Sequence, residues 1–376
     1  MPTERHTSAI LSIDLAAVAD NWGRLAVSCG GPDRCTAVVK ADAYGLGAAR
    51  VAPVLFAAGC RTFFVAHLEE GLALRKMLPR KAVIAVFNGP LSGTEADFTV
   101  HDLIPVLNCP DQINRWSAHA RARWHRTGSG PLPAMLHVDT GMARLGLTAR
   151  EVHAFQNHPP PGIALTLIMS HLACADTPAH PLNETQAQAF AAVTACFPGL
   201  RNSLANSSGI FLGSRWHGDL VRPGAALYGI NPTSGRPNPM RPVIRLQARV
   251  IQVRDVDSPE TVGYSATYRV INKGRIATVA VGYADGFLRA LSNRGSGRVG
   301  SVRVPLVGRV SMDLATFDVS VLPEDMVRPG SLIELIGPDH TVDDMAAEAG
   351  TIGYEILTVL GRRYDRSYDT SHLFEP

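Results

Sequence analysis

The sequence predicts an α/β chain, a (β/α)8 TIM-type barrel followed by a mostly β C-terminal domain. Three observations carry that prediction. Short β-rich apolar runs alternate with amphipathic stretches up to about residue 230. A Pro-rich stretch at 235–242 then breaks the pattern, and strand-like runs with tight connections follow. At 376 residues and 46% hydrophobic content, the chain has material for two or three domains and a large core.

Eight runs read as barrel strands: 36–40, 62–66, 82–87, 103–107, 134–139, 164–171, 203–206 and 219–222. Most have the length of strands buried on both faces. Between them, 46–58, 68–78, 111–124 and 183–196 show helical periodicity, with Asn183 and Gln186 spaced as a capping box. A doubly wound open sheet is the competing arrangement. The expected domains are a barrel at 12–235 and a β-domain at 236–376, which residues 1–11 can join. In the second domain 243–253, 276–281, 299–304, 315–319 and 332–336 read as strands. Gly295 to Gly300 spells G-x-G-x-x-G, but a strand and not a helix follows, so it reads as a hairpin connection.

Composition removes several function classes. The 36 basic and 33 acidic residues leave a net charge of +3, and no basic run exceeds Arg362-Arg363, which argues against a nucleic-acid surface. No apolar run approaches the length of a membrane span. The six cysteines form no C-x-x-C and none follows Cys196, so no disulfide framework holds the chain. No metal-ligand spacing appears, and no metal is expected. Glu4, Asp14 and Asp20 make the N-terminus unlike a signal peptide, and a cytoplasmic protein is expected. Of the 36 basic residues only Lys40, Lys76, Lys81 and Lys273 are amines, so amine chemistry has few candidates.

Lys40 ends the first predicted barrel strand, and in such barrels the C-terminal strand ends form the active face. An amine there, flanked by apolar residues, has a lowered pKa and suits Schiff-base chemistry. The loops after the last two predicted strands are Asn206-Ser207-Ser208-Gly209 and Arg222-Pro223-Gly224-Ala225, where barrels often hold a phosphate. A Schiff-base lysine facing a phosphate site points to pyridoxal 5′-phosphate (PLP).

The stretch from Ala37 through Lys40 to Gly45 resembles the PLP-attachment motif of bacterial alanine racemases. The similarity continues at 138–146, 170–173, 221–224, 262–268, 282–286, 308–313 and 351–355. The resemblance implies that Lys40 holds PLP and serves the D-alanine face, while Tyr264 serves the L-alanine face. A phenol with a pKa near ~10 is a weak base at neutral pH and needs a positive neighbourhood, for which His171 and Arg222 stand as candidates. By similarity Arg222 faces the pyridine nitrogen and leaves the ring unprotonated. Tyr44, Ser207, Gly224 and Tyr354 match phosphate contacts, and Arg144 matches a residue binding the cofactor phenolate and the substrate carboxylate. The backbone of Met312, supported by Asp313, matches a further carboxylate contact. Tyr283, Arg309, Ile352 and Tyr354 match a substrate entryway.

The family pattern also implies a head-to-tail homodimer, in which Tyr264, Tyr283, Met312 and Asp313 act in the partner's site, and a role in D-alanine supply for peptidoglycan. Four positions depart from it. His137 stands where many relatives carry a carbamylated lysine that orients Arg144, so an anion or His137 itself must do that work. Leu46 replaces a common His, Ser311 a common Cys and Gly353 a common Pro. Two other readings are a racemase of broader amino-acid specificity and a non-catalytic PLP-binding barrel, against which the β-domain argues.

Overall fold

The computed structural model describes residues 7–370. Glu4, with the rest of the first six residues of the 1–11 segment, and the last six residues of the expected β-domain lie outside the described residues. The described residues divide into two compact units, Val18–Leu227 with Asn231–Met240, and 7–17 with Tyr228–Ile230 and 241–370.

In the second unit the first strand, β1 (Ala9–Asp14), pairs antiparallel with a later long strand and parallel with the last. The first unit is built on seven strands, β2 (Ala37–Val38), β3 (Thr62–Val65), β4 (Val83–Val86), β5 (Ile104–Leu107), β6 (Leu132–His137), β7 (Ile163–Met169) and β8 (Asn202–Ser203). They lie side by side in chain order and every pairing is parallel. Phe63, Phe64, Ile84, Ala85, Leu136 and Ile168 are fully buried, as the apolar runs require.

The eighth predicted strand, 219–222, is irregular. Cys35 bridges Val221 and Asn206 bridges Arg222, both in the parallel sense. The Thr36 and Val38 N–H groups donate to the carbonyls of Val221 (3.1 Å) and Pro223 (2.9 Å). Pro223 has no N–H, so a regular ladder cannot pass through it. Both edges of the sheet nevertheless meet on this segment, which closes the barrel and removes the open-sheet alternative.

Helices Ala48–Ala58, Leu68–Arg75, Pro110–Thr127 and Pro181–Ala195 occupy the four predicted helical stretches. The capping box at Asn183 and Gln186 does not form. That helix starts earlier, with Pro181 in its first turn and His180 as cap, and both side chains turn inward. Asn183 donates to the carbonyls of Cys174 and Thr177 at 3.1 Å, and Gln186 donates to the His171 carbonyl at 2.9 Å.

The second unit centres on β9 (Ile244–Val256), whose first seven residues alternate inward and outward. β10 (Thr261–Val262) and β11 (Tyr268–Arg269) form a small hairpin beside it. β12 (Gly274–Val279) pairs with β9 and with β15 (Ala315–Asp318). β13 (Ser296–Val299) and β14 (Val302–Pro305) form a hairpin across Gly300, which has a φ of 57°, so the glycine-rich motif is a strand connection. β16 (Leu332–Ile336) joins that hairpin to β9, and β17 (Asp365–Asp369) borders β1.

Candidate active site

Lys40 lies just past β2, half-buried at the C-terminal side of the parallel strands. Burial and the Arg144 guanidinium push its ammonium below the usual lysine range, and the Glu70 carboxylate opposes them. The four residues after it, Ala41 to Tyr44, all have left-handed backbones with φ of 51°, 54°, 55° and 56°. A left-handed conformation costs about 1–2 kcal/mol for each L-residue, so something must hold this turn. The Gly45 N–H closes it on the Ala41 carbonyl at 2.7 Å, and the Asp42 carboxylate accepts from the Ala48 N–H at 2.7 Å.

Arg222, 3% exposed, lies in the closing segment without a carboxylate partner. One Nη donates to the Ser203 hydroxyl and the other to the carbonyls of Ser170 and Leu204. Its Nε has no acceptor among the described residues. Burial lowers its pKa to about 9, still charged at neutral pH. An unanswered N–H on a buried guanidinium costs free energy until a bound acceptor completes it. His171 lies in the same mouth. Burial, then Arg222, Arg144, His137 and Lys40, lower its pKa to about 3, so its ring is neutral.

His137, at the end of β6, is also neutral. Burial and the cations Arg222 and Arg144 lower its pKa to about 4. Its Nδ1 contacts the Asn108 side-chain oxygen at 2.8 Å. The Asn108 NH2 is committed to the carbonyls of Phe87 (2.8 Å) and Val106 (2.9 Å), so its oxygen faces the imidazole and Nδ1 carries the proton. His137 therefore engages Asn108. The Arg144 guanidinium has no hydrogen-bond or ion-pair partner among the described residues. Its loop is folded by Asp139, whose carboxylate accepts from the N–H groups of Gly141 (2.9 Å), Met142 (2.8 Å) and Ala143 (3.0 Å). Burial works against the Asp139 charge, and these donors still hold its pKa below the usual range.

The loops after β8 and at the closing segment meet. The Ser207 hydroxyl accepts from the N–H groups of Gly224 (3.0 Å) and Ala226 (3.2 Å), and a Cβ at position 224 would collide with the Tyr44 hydroxyl. Here a glycine is needed for close approach. Leu46, one of the departures, is fully buried and serves as packing.

The second unit collects the remaining candidates. Tyr264, Tyr283, Arg309, Met312 and Asp313 line one cleft of about 470 Å³ with Arg289. Tyr264 is 71% exposed. The Tyr283 and Ala284 N–H groups donate to the carbonyls of Ser311 and Met312, both at 3.0 Å, and a Cβ at Gly282 would meet those carbonyls. Arg363 fastens the same two loops, holding both oxygens of buried Asp285 (2.6 and 2.9 Å) and Asp313 (2.7 Å). The Met312 N–H has no acceptor among the described residues. Ser311 donates to the Leu314 carbonyl at 2.8 Å, and a Cβ at Gly353 would strike the Asp343 carboxylate. Ile352 and Tyr354 are exposed at the helix Gly353–Thr358, outside the cleft lining.

Sequence reasoning missed Glu70, Asn108, Ser203, Asp285 and Arg363. Asp285 fell inside the matched stretch 282–286, Ser203 inside a predicted strand and Arg363 inside a basic pair, but none was assigned a role.

The fold and the barrel mouth define an α/β-barrel protein whose lysine and unpaired guanidinium groups suit a phosphorylated aldehyde. The orphaned Arg222 Nε fits an unprotonated ring nitrogen, the Tyr44 and Ser207 hydroxyls drawn together at Gly224 fit a phosphate, and Lys40 fits the carbonyl carbon. Residues 13–232 match the N-terminal domain model of alanine racemase, and 243–368 match the C-terminal domain model. The chain is 55% identical to an alanine racemase of Rhodospirillum rubrum over 98% of each protein. It is 48% identical to a catabolic alanine racemase of Agrobacterium fabrum, over 96% of this chain and 92% of that one. A crystal structure of alanine racemase from Bartonella henselae with covalently bound pyridoxal phosphate is similar at a TM-score of 0.91. That pair is 40% identical, covering 96% of this chain and all of the other. The chain belongs to the alanine racemase family.

Proposed function

We propose that this chain is an alanine racemase that interconverts L- and D-alanine with PLP held by Lys40. The observation that carries the reading is the barrel mouth itself. There a lysine with a depressed pKa shares a site with the unpartnered Arg144 guanidinium and the incompletely bonded Arg222.

When bound, the cofactor supplies an electron sink for the negative charge left as the α-proton departs. Lys40 Nζ takes or returns that proton on the D-alanine face. Tyr264 of the partner subunit does so on the other. Arg144 presents forked donors to the substrate carboxylate, with the Met312 N–H of the partner subunit beside it. Arg222 would hold the ring acceptor through Nε and keep its own proton, so that acceptor would be left neutral and the sink weaker, which disfavours side reactions. Ser207, Gly224, Tyr44 and Tyr354 take the phosphate.

A head-to-tail homodimer supports this division of labour. Tyr264, Met312, Ile352 and Tyr354 expose 71%, 54%, 61% and 39% of their surface on one unit, apolar area that a second copy would cover. Tyr283, Arg309 and Ile352 then narrow the entry, and Asp313, gripped by Arg363, steadies the Met312 loop. The six cysteines are all free, which suits a reducing cytoplasm, and peptidoglycan is the destination of the D-alanine.

The test is racemisation of L-alanine and L-serine side by side in deuterated solvent. Deuterium entering the alanine α-carbon as the enantiomer forms is the expected result. Bound PLP without exchange would favour the carrier barrel, and equal rates with serine the broader racemase.

A further inference from the structure

The left-handed turn behind Lys40 has an anchor that the reaction scheme above does not use. The N–H groups opening a helical turn have no partner within it. The Ala41 N–H, directly after Lys40, donates to Glu70 Oε1 at 2.5 Å, across 29 residues of sequence. The other oxygen, Oε2, accepts from the N–H groups of Ala66 (2.8 Å) and His67 (3.0 Å) at the start of the helix Leu68–Arg75. Capping that helix therefore occupies Oε2, and a helix cap leaves the reach of Oε1 to Ala41 unexplained.

We propose that Glu70 is a positioning residue for Lys40, fastening the left-handed turn that aims the amine into the barrel mouth. The inference rests on Lys40 as the cofactor-bearing amine. Four consecutive non-glycine residues in the left-handed region persist only if their surroundings over-determine them. The Glu70 bond supplies that constraint at the residue next to the reacting side chain. Lys40 is faced by Arg144 from the loop after β6, by His171 from the loop after β7 and by Glu70 from its helix. His171 is neutral and Arg144 disfavours the ammonium, which leaves Glu70 as the group that holds the pKa up.

Glu70→Gln separates the roles. A glutamine caps a helix as a glutamate does. With its oxygen on Ala66 and His67, its NH2 meets the Ala41 N–H donor to donor, and the negative charge is gone. In the holoenzyme we expect a retained thermal midpoint and faster hydrogen exchange in the peptide 37–47. We also expect kcat for D-alanine to fall about tenfold with KM little changed, as a misdirected reacting group would cause. Loss of the carboxylate lowers the Lys40 pKa, so the acid limb of the D-to-L profile, where Lys40 must be neutral, moves to lower pH. The alkaline limb of the L-to-D profile, where it must be protonated, moves the same way.

Unchanged exchange in 37–47, or unmoved limbs with kcat intact, overturns the proposal. So does a loss of thermal midpoint as large in Glu70→Gln as in Glu70→Ala, since Glu70 would then be a helix cap alone. Borohydride labelling of another lysine would instead remove the Lys40 assignment, so the two failures are told apart.

Discussion

At the residue scale the barrel mouth is an assembly of cations with little anionic relief, and its histidines carry the consequence. In an unfolded chain an imidazole titrates near ~6.5. In the folded protein His137 and His171 stay neutral until about 4 and about 3, because burial and the neighbouring arginines oppose a further charge. Between those values the unfolded chain binds more protons, so this contribution to stability is intact above pH ~6.5 and lost as pH falls. Thermal midpoints are expected to drop from pH 6.5 toward 4, and less steeply in His137→Asn. Parallel curves for the two proteins would remove this account of the cluster. Residue types at strand ends announced part of the site, since Lys40, Arg222 and Gly224 carry chemistry that their positions make meaningful. Glu70 and Asn108 were not legible. Each reaches its partner from 29 residues away, and the parallel pairing of β2 with β3 and of β5 with β6 brings them together.

At the element scale, local periodicity located seven barrel strands and four helices to within a few residues. It misjudged the two places where a side chain overrides the pattern. Pro223 interrupts the closing segment, and Pro181 starts a helix two residues before its expected cap. The β-domain shows a comparable long-range tie. Glu348 accepts from the Ser296 hydroxyl (2.6 Å) and Arg303 (3.0 Å) and pairs with His340 (3.2 Å), joining the β13–β14 hairpin to the helix Val342–Ala349. Burial opposes both charges, but Glu348 is held at about 2 and His340 above the usual histidine range. The His340 contribution is full below pH ~6.5 and lost as pH rises through its folded pKa. Glu348→Gln is expected to cost about 3 kcal/mol in urea unfolding near neutral pH, as for a broken buried pair. The difference from wild type should shrink at alkaline pH. A neutral substitution would show that the tie contributes nothing net.

At the scale of the whole molecule, the proposed reaction divides its residues between the two units, and the proposed dimer brings complementary halves together. Mixing Lys40→Ala with Tyr264→Phe tests this directly. Each variant alone is expected to be inactive. A hybrid dimer contains one site with both native residues, so random exchange should restore about a quarter of wild-type activity. No recovery after verified subunit exchange would mean that Lys40 and Tyr264 act from the same chain. The proposed chemistry turns on one amine. Of four lysines, Lys76 follows the helix Leu68–Arg75, Lys81 lies over the Phe56 ring at 5.1 Å, and Lys273 sits in the turn before β12. Only Lys40 stands in the barrel mouth. The decisive measurement is the absorption spectrum of the purified protein, followed by borohydride reduction and peptide mapping. A pyridoxyl group on the peptide containing Lys40 is the result this account predicts, and a label on any other lysine would contradict it.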